Sequence, residues 1–320
     1  MSERSQLGRV VVLGGGTGIS PCLSGIKSLT SEITAIVTVA DDGGSSGRLR
    51  KDYEMLPPGD IRNCLVALSE GDPRLARLFA YRFDDALLRG HAFGNLFLAV
   101  VAKQTGDFRA AIDLAATTLG VRGRVIPSTD RRVVLVASHP DGSKSTGENR
   151  ISRSGKPISK IELRPNPPAI SNEISAAIAA ADVIVLGPGS LFTSIIPNLL
   201  VPGMAAAVAS SKAKVVYVAN VATQPGETGA FDLAGHIRAV RDLGGLERID
   251  FAVVHDGPVS EEIRSRYVAA GAEILGAAFG ATHVEGIPLV RADVVSVESG
   301  LLRHHSGRLA LTLREIAGRK

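Results

Sequence analysis

Short apolar runs rich in β-branched residues alternate with segments of helical spacing along this 320-residue chain. Apolar residues at successive positions are typical of strands buried on both faces. Strands that alternate with helices are typical of a parallel sheet. The pattern therefore predicts an α/β fold with a Rossmann-like, doubly wound, mostly parallel sheet and helices on both faces. The predicted strands are Arg9–Leu13, Ile33–Val39, Arg132–Ala137, Val183–Leu186, Val215–Ala219 and Phe251–Val254.

Helical spacing of apolar residues predicts a first helix with Ile19, Leu23, Ile26 and Leu29 on one face. The other predicted helices are Asp60–Ser69, Pro73–Phe83, Phe93–Gln104, Phe108–Leu119, Ser171–Ala180, Leu191–Leu200, Phe231–Leu243 and Ser260–Ala270. The segment 142–163 is polar and carries turn glycines, which predicts a small antiparallel insertion. Because no tandem repeat or low-complexity linker divides the chain, we predict one domain over residues 1–320.

Composition limits the class of ligand. The chain carries 36 Lys and Arg residues spread along its length and no Trp, so nothing predicts a nucleic-acid surface. No apolar stretch approaches the roughly 18 residues of a membrane span, and the polar start MSERSQLGR predicts no signal peptide. Cys22 and Cys64 lie in apolar helical contexts, which favours reduced core thiols and a cytoplasmic protein. A net charge of +4 suits an anionic small molecule.

Two glycine-rich turns each join an apolar run to a helix. The first reads LGGGTGI and the second VIVLGPGSLFTS, and such turns place backbone N–H groups at a helix start, where anions bind. The first turn is neither a dinucleotide fingerprint nor a P-loop, because Ile19 stands where the third glycine would be and no Gly-Lys-Ser/Thr follows. Tight turns without a ligand are the alternative. The candidate phosphate-binding residues are Gly14, Gly15, Gly16, Thr17, Gly18, Gly187, Gly189 and Ser190.

Two adjacent acids end the second predicted strand, where ligands of doubly wound sheets bind. The side chains of Asp41 and Asp42 could accept hydrogen bonds from a ribose diol, hold a metal ion or cap the following turn. The following GGSSGR places Ser45, Ser46 and Arg48 as donors toward phosphate, unless the segment is a solvated Asx turn. Asn95, in GHAFGNL, is a further candidate at a helix start. No Cys/His cluster or HExxH is present, so we predict no metal site from motifs.

In order along the chain, these motifs resemble the bacterial gluconeogenesis factor (YvcK-like) family, which shares its fold with the 2-phospho-L-lactate transferases (CofD-like). The motifs are GGGTG, ADDGGSSGRLR, PPGDIRNCL, GHAFGNL, VIPST and LGPGSLFTSIIPNLLV. The resemblance covers roughly Val10 to Leu311, and Asp41–Arg50 is its most specific part. It implies a cytoplasmic protein that binds nucleotide-sugars such as UDP-N-acetylglucosamine and is needed for growth and cell shape on gluconeogenic carbon sources.

The resemblance also implies a ligand pocket built from both halves of the chain. On that basis Tyr267 and Arg303 are candidates for stacking a base and clamping a phosphate or carbonyl. The alternative places the Tyr267 ring in the core and Arg303 in a solvated turn. NAD is expected to bind only weakly, through its pyrophosphate.

The leading hypothesis is a regulatory factor that binds a nucleotide-sugar and acts through a protein partner that the sequence does not identify. The alternative is an enzyme that moves a phosphorylated group from a nucleotide diphosphate donor onto an alcohol. In that case Asp41 and Asp42 would hold Mg²⁺, and one of them or His91 would deprotonate the acceptor. The oligomeric state is open, and a homo-oligomer is among the expected states.

Overall fold

Eight strands form the central sheet of the computed structural model, which describes residues 7–84, 88–276 and 280–319. The strand order is β10-β11-β9-β8-β7-β1-β2-β3. Every neighbouring pair is parallel except β10 and β11. The strands are β1 Val10–Gly14, β2 Ile33–Val37, β3 Arg124–Pro127, β4 Val134–Ser138, β5 Lys144–Thr146, β6 Lys160–Arg164, β7 Val183–Leu186, β8 Lys214–Val218, β9 Phe251–His255, β10 His283–Val284, β11 Ile287–Ala292, β12 Val295–Glu298 and β13 Leu301–His304.

Helices cover both faces of this sheet, which confirms the predicted doubly wound fold. Val10 and Val12 of β1 belong to one core, whereas Val11 and Leu13 belong to the other, as the alternation of side chains along a strand requires. The helices are α1 Gly16–Ile26, α2 Gly44–Asp52, α3 Pro58–Leu68, α4 Pro73–Ala80, α5 Phe93–Thr105, α6 Phe108–Leu119, α7 Glu148–Ser154, α8 Asn172–Ala180, α9 Ile196–Leu199, α10 Met204–Ser210, α11 Leu233–Asp242, α12 Glu261–Ala269 and α13 Ser306–Gly318.

The sheet changes direction between β1 and β7. From β1 the chain proceeds outward through β2 to β3, and it then returns to place β7 on the other side of β1, followed by β8 and β9. The carboxyl ends of β1 and β7 therefore meet at the topological switch point, where a crevice forms in sheets of this kind.

One face of the sheet is covered by α1, α3 and α13. Cys22 on α1 and Cys64 on α3 are buried free thiols in this core, and burial raises the pKa of Cys22 to about 12. Thiols with such pKa values are unreactive, in agreement with the prediction of core cysteines.

The insertion contains more structure than the predicted strand pair. β4 pairs antiparallel with both β5 and β6, and α7 lies between β5 and β6. Sequence patterning also missed β3, α2, α10 and every element after α12. α2 has the sequence GSSGRLRKD, which offers almost no apolar residues from which helical spacing could be recognised.

The predicted helix at 191–200 is in fact a π-helical turn, Leu191–Ile195, that continues into α9. Buried Asn198 donates through Nδ2 to the carbonyl oxygens of Gly14, at 3.1 Å, and of Ser194, at 2.7 Å. The amide thus ties the π turn to the end of β1, and π turns of this kind are frequent at functional sites.

In the part of the chain that the structure describes, no single helix is long and apolar enough to cross a membrane. The bent pair Leu191–Leu199 and Met204–Ser210 passes the same length and composition test together, with a 76° bend. Many of its residues are packed in the core under the sheet.

Candidate functional site

A cleft of about 510 Å³ lies at the carboxyl ends of β1 and β7. Both glycine turns line it, together with the loop that follows β8 and residues 302–304 near the other end of the sequence. Of the predicted site residues, it collects Gly15, Thr17, Gly18, Asp41, Gly189, Ser190, Tyr267 and Arg303. Its volume is within the roughly 300–1,000 Å³ typical of small-molecule sites.

Glycine is required where the two turns touch. A Cβ on Gly18 would lie 2.6 Å from the Cα of Gly189 and would run into the carbonyl oxygen of Pro188. A Cβ on Gly15 would lie 2.8 Å from the Asp60 carboxylate, so this turn is also closed against α3. Gly187 has a φ of 79°, which a residue with a side chain rarely adopts. The glycines thus allow three backbone segments to meet at the cleft.

The loop after β8 is bound to the second glycine turn. Gly189 donates its N–H to the side-chain oxygen of Asn220 at 3.0 Å, and the Gln224 amide donates to Ser190 Oγ at 2.8 Å. Ser190 Oγ also lies 3.4 Å from Glu227. These bonds hold one wall of the cleft in place, and the Ser190 hydroxyl is committed to that wall.

The two adjacent acids point to different places. Asp41 lines the cleft and accepts a hydrogen bond from the Gly43 N–H at 2.7 Å. Asp42 instead accepts from the Asn149 N–H, at 3.3 Å, in the first turn of α7, and it is absent from the lining of the cleft. One acid therefore belongs to the candidate site, and the other attaches the insertion to the main sheet.

The carboxyl groups in the cleft have unusual acidity. Burial, reinforced by the charge of Asp41, raises the pKa of Asp60 to about 7, although the Gly16 N–H donates to this carboxylate and opposes the shift. Burial likewise raises the pKa of Glu148 to about 8, with Asp41 and Asp60 adding to the effect. At neutral pH a share of these groups is protonated, so they are able to donate hydrogen bonds to a ligand oxygen.

We expect the affinity for an anionic ligand such as UDP to fall as the pH rises through the pKa values of about 7 and about 8, because ionised Asp60 and Glu148 repel it. Two unit charges roughly 8 Å apart at an effective dielectric constant of about 20 interact by about 2 kcal/mol. Glu148→Gln should therefore bind UDP about thirtyfold more tightly than the native protein above the pKa of this carboxyl. Calorimetric titrations across this pH range measure the effect, and a pH-independent affinity in the native protein would contradict it.

The same groups link folding to pH. The folded-state pKa values lie above the ordinary values of 3.8 for Asp60 and 4.5 for Glu148, so the native state holds more protons than the unfolded state. The contribution of these two groups to the free energy of unfolding must therefore fall as the pH rises from their ordinary pKa values toward their raised pKa values in the folded protein. In urea unfolding, Glu148→Gln should show a shallower fall than the native protein.

Residues 302–304 of the β12–β13 hairpin form a further part of the cleft wall. Leu302 donates its N–H to the Tyr267 hydroxyl at 2.9 Å, and Arg266 donates to the Gly300 carbonyl at 3.0 Å, so α12 holds the hairpin at two points. A ring nitrogen of His304 lies 3.1 Å from the Ala219 carbonyl oxygen at the end of β8. These contacts place Arg303 beside the cleft.

The remaining predicted residues lie elsewhere. Gly14 ends β1, Gly16 begins α1 and Gly187 shapes the second turn, so these three form the turns without lining the cleft. Arg48 donates to the Arg89 carbonyl oxygen at 2.9 Å, and Asn95 is buried at the start of α5.

Two further predicted residues, Ser45 and Ser46, lie in the first turn of α2, but their side chains lie outside what the structure describes. His91, the base considered for an enzyme, is absent from the lining of the cleft.

Several residues of the cleft were not predicted. Asp60 was predicted only as the first residue of the helix Asp60–Ser69, whereas its carboxylate contacts the start of α1. Glu148 lies in the insertion, and no pattern there connects it with the cleft. The loop 220–224 follows a predicted strand, so the rule that ligands bind at carboxyl ends could have identified it. Among residues 7–84, 88–276 and 280–319, no group of three or more His, Cys, Asp or Glu side chains is placed to hold a metal ion.

Comparison with known proteins assigns this chain to a family. Residues 10–295 match the family described as 2-phospho-L-lactate transferase CofD. A gluconeogenesis factor of Halalkalibacterium halodurans is 43% identical over 307 residues, which cover 96% of this chain and 95% of that protein. The gluconeogenesis factor of Bacillus subtilis is 40% identical over 309 residues, which cover 96% of this chain and 98% of that protein.

A crystal structure of a UPF0052-family protein from Bacillus halodurans has the same fold, with a TM-score of 0.91 at 43% identity. The alignment covers 96% of this chain and 99% of that chain. Fold and family profile together define the class, a CofD-like α/β protein. Within that class the chain belongs to the gluconeogenesis factor family, which confirms the resemblance found in the sequence.

Proposed function

We propose that this protein is a cytoplasmic regulatory factor that binds a nucleotide-sugar of the UDP-N-acetylglucosamine type and supports growth and cell shape under gluconeogenic conditions. The observation that carries the proposal is the composition of the cleft, which joins two glycine turns to a tyrosine and an arginine from the far end of the sequence. Two glycine turns suit a diphosphate. The names of the relatives, gluconeogenesis factors, support the physiological setting.

The cleft offers separate surfaces for the parts of such a ligand. The diphosphate would lie at the glycine turns, where the start of α1 and protonated Glu148 can donate hydrogen bonds. The base would lie against Tyr267, Val221 and Leu302, which are among the apolar residues of the lining. Asp41 would accept a hydroxyl of the ribose or the sugar.

A second candidate function is favoured by the CofD family match, because the family is described as a transferase. In this case the protein would move a phosphorylated group from a nucleotide diphosphate donor to an alcohol. The raised pKa values suit Asp60 or Glu148 to the role of proton acceptor from the alcohol. Mg²⁺ would be held by Asp41 together with phosphate oxygens, since Mg²⁺ usually takes only one or two carboxylates in such sites.

We expect UDP-N-acetylglucosamine to raise the melting temperature of the protein by about 5 °C at about a hundred times its Kd. NAD should raise it much less. No shift with UDP-sugars at millimolar concentration, alongside a shift with NAD or a GDP conjugate, would contradict the proposal.

Calorimetric titration with Mg²⁺ and with EDTA separates the two functions. A regulatory site should bind equally well in both conditions. For the transferase, affinity for UDP should rise with Mg²⁺ in the native protein and lose that dependence in Asp41→Asn. Asp42→Asn is the matched control, because Asp42 contacts the insertion and does not line the cleft.

A further inference from the structure

A second hollow, of about 410 Å³, adjoins the cleft over the outer surface of α1. Thr17, Pro21, Arg303 and His304 line both spaces, so the two are lobes of one cavity system. The side chains that belong to the second lobe alone are Ser20, Ser24, Asn63, Glu298 and Ser306. The function proposed above does not use them.

The lining of the second lobe is rich in hydrogen-bond acceptors. Ser20 donates its hydroxyl proton to the Gly16 carbonyl oxygen, and Ser24 donates to the Ala67 carbonyl oxygen at 3.4 Å. Asn63 donates through Nδ2 to Thr17 Oγ1 at 3.2 Å. Since these protons are already used within the protein, the oxygen lone pairs of the hydroxyl groups remain to accept hydrogen bonds from a ligand. The Glu298 carboxylate adds further acceptor sites.

The two lobes differ in chemistry. The cleft carries the Tyr267 ring and the aliphatic side chains of Val221 and Leu302. The aromatic ring in the lining of the second lobe is that of His304, which also lines the cleft. A flat base suits the cleft, and a group that presents many hydroxyl donors suits the second lobe. The two linings therefore suit the two chemically different ends of a nucleotide-sugar.

Arg303 lies at the boundary between the lobes. Across the three described ranges of the chain, its guanidinium has no hydrogen-bond or ion-pair partner. An exposed arginine with five N–H donors at this boundary is placed to contact the diphosphate that joins the two ends of the ligand.

We propose that the lobe lined by Ser20, Ser24, Asn63, Glu298 and Ser306 is the subsite for the polyhydroxyl, sugar end of the bound nucleotide. This inference rests on the proposed nucleotide-sugar function and specifies which end of the ligand lies over α1. The serine hydroxyls and Glu298 accept hydrogen bonds from the sugar, while the base occupies the cleft beside Tyr267.

The test compares UDP with UDP-N-acetylglucosamine by calorimetric titration. We expect the native protein to bind the sugar conjugate about tenfold more tightly than UDP, as one or two additional hydrogen bonds would give. Ser24→Leu, which fills the lobe, and Glu298→Gln, which removes a surface carboxylate, should each lower this ratio toward one and leave the affinity for UDP unchanged. Ser28→Leu is the matched control, because Ser28 is exposed beyond the end of α1 and does not line the lobe.

Thermal melting verifies that each variant is folded. Glu298 is exposed, so Glu298→Gln keeps the test valid even if Ser24→Leu does not fold. Equal affinities of the native protein for UDP and its sugar conjugate, or an unchanged ratio in Glu298→Gln, would overturn the subsite while retaining the nucleotide site. Absence of binding of both ligands to the native protein would overturn the proposed function and the subsite together.

Discussion

Gly18→Ala is expected to lower the affinity for UDP-N-acetylglucosamine more than about a hundredfold and to destabilise the fold by about 1–3 kcal/mol. The added Cβ would lie 2.6 Å from the Cα of Gly189 and against the carbonyl oxygen of Pro188. Both atoms belong to the backbone, so neither can rotate away. The two glycine turns must then separate, and the contacts that would hold a diphosphate separate with them.

Helix propensity alone predicts the opposite sign. Gly18 lies within α1, where alanine is favoured over glycine by about 1 kcal/mol. Gly229→Ala, in a turn outside the helices, is the control for the steric effect alone, because a Cβ there would meet nothing within 4 Å. Thermal melting and calorimetric titration on both variants measure the effect. A stabilised Gly18→Ala protein with native affinity would show that the turns are not in contact.

Arg303→Ala and Tyr267→Ala are each expected to weaken UDP-sugar binding by about 1–3 kcal/mol, the range for losing a charge-assisted hydrogen bond or a stacked ring. Both side chains line the cleft. Both variants should remain folded by circular dichroism. Native affinity in both variants would remove α12 and the β12–β13 hairpin from the site.

Tyr267→Phe separates the two contributions of the tyrosine. The ring would remain, but the hydroxyl that accepts the Leu302 N–H would be lost, and Leu302 is the neighbour of Arg303 on β13. We expect Tyr267→Phe to lose about five- to tenfold in affinity in the native background, the effect of about one hydrogen bond. In the Arg303→Ala background it should lose almost nothing, because the hydroxyl acts by positioning Arg303.

The sequence predicted the central fold well because buried parallel strands are recognisable from short-range composition. The predicted strand Val183–Leu186 is found with those bounds, and the predicted helix Phe108–Leu119 likewise. The elements that were missed are short or polar. β3 has only the four residues RVIP, and the last hairpin contains Leu301–His304 with a single buried side chain.

The candidate site was predictable where the chain passes from a strand into a glycine turn. The different orientations of Asp41 and Asp42 were not predictable, since they depend on α7, which contacts Asp42 from more than a hundred residues away. Glu148 also belongs to α7, so its position in the cleft depends on the same distant segment. The spacing of residues along the chain predicts which neighbours share a face of a helix or strand. It does not predict which distant segment packs against that face.

The position of β1 in the interior of the sheet, between β2 and β7, has a consequence during synthesis of the chain. Its partner β2 emerges from the ribosome soon after it, whereas β7, at Val183–Leu186, emerges about 170 residues later, by difference of their positions. Until then the nascent sheet exposes one edge of β1, and such edges invite pairing with other chains. The wall that carries Arg303 is translated later still, so a nascent chain acquires the complete cleft only when the residues up to His304 have been made.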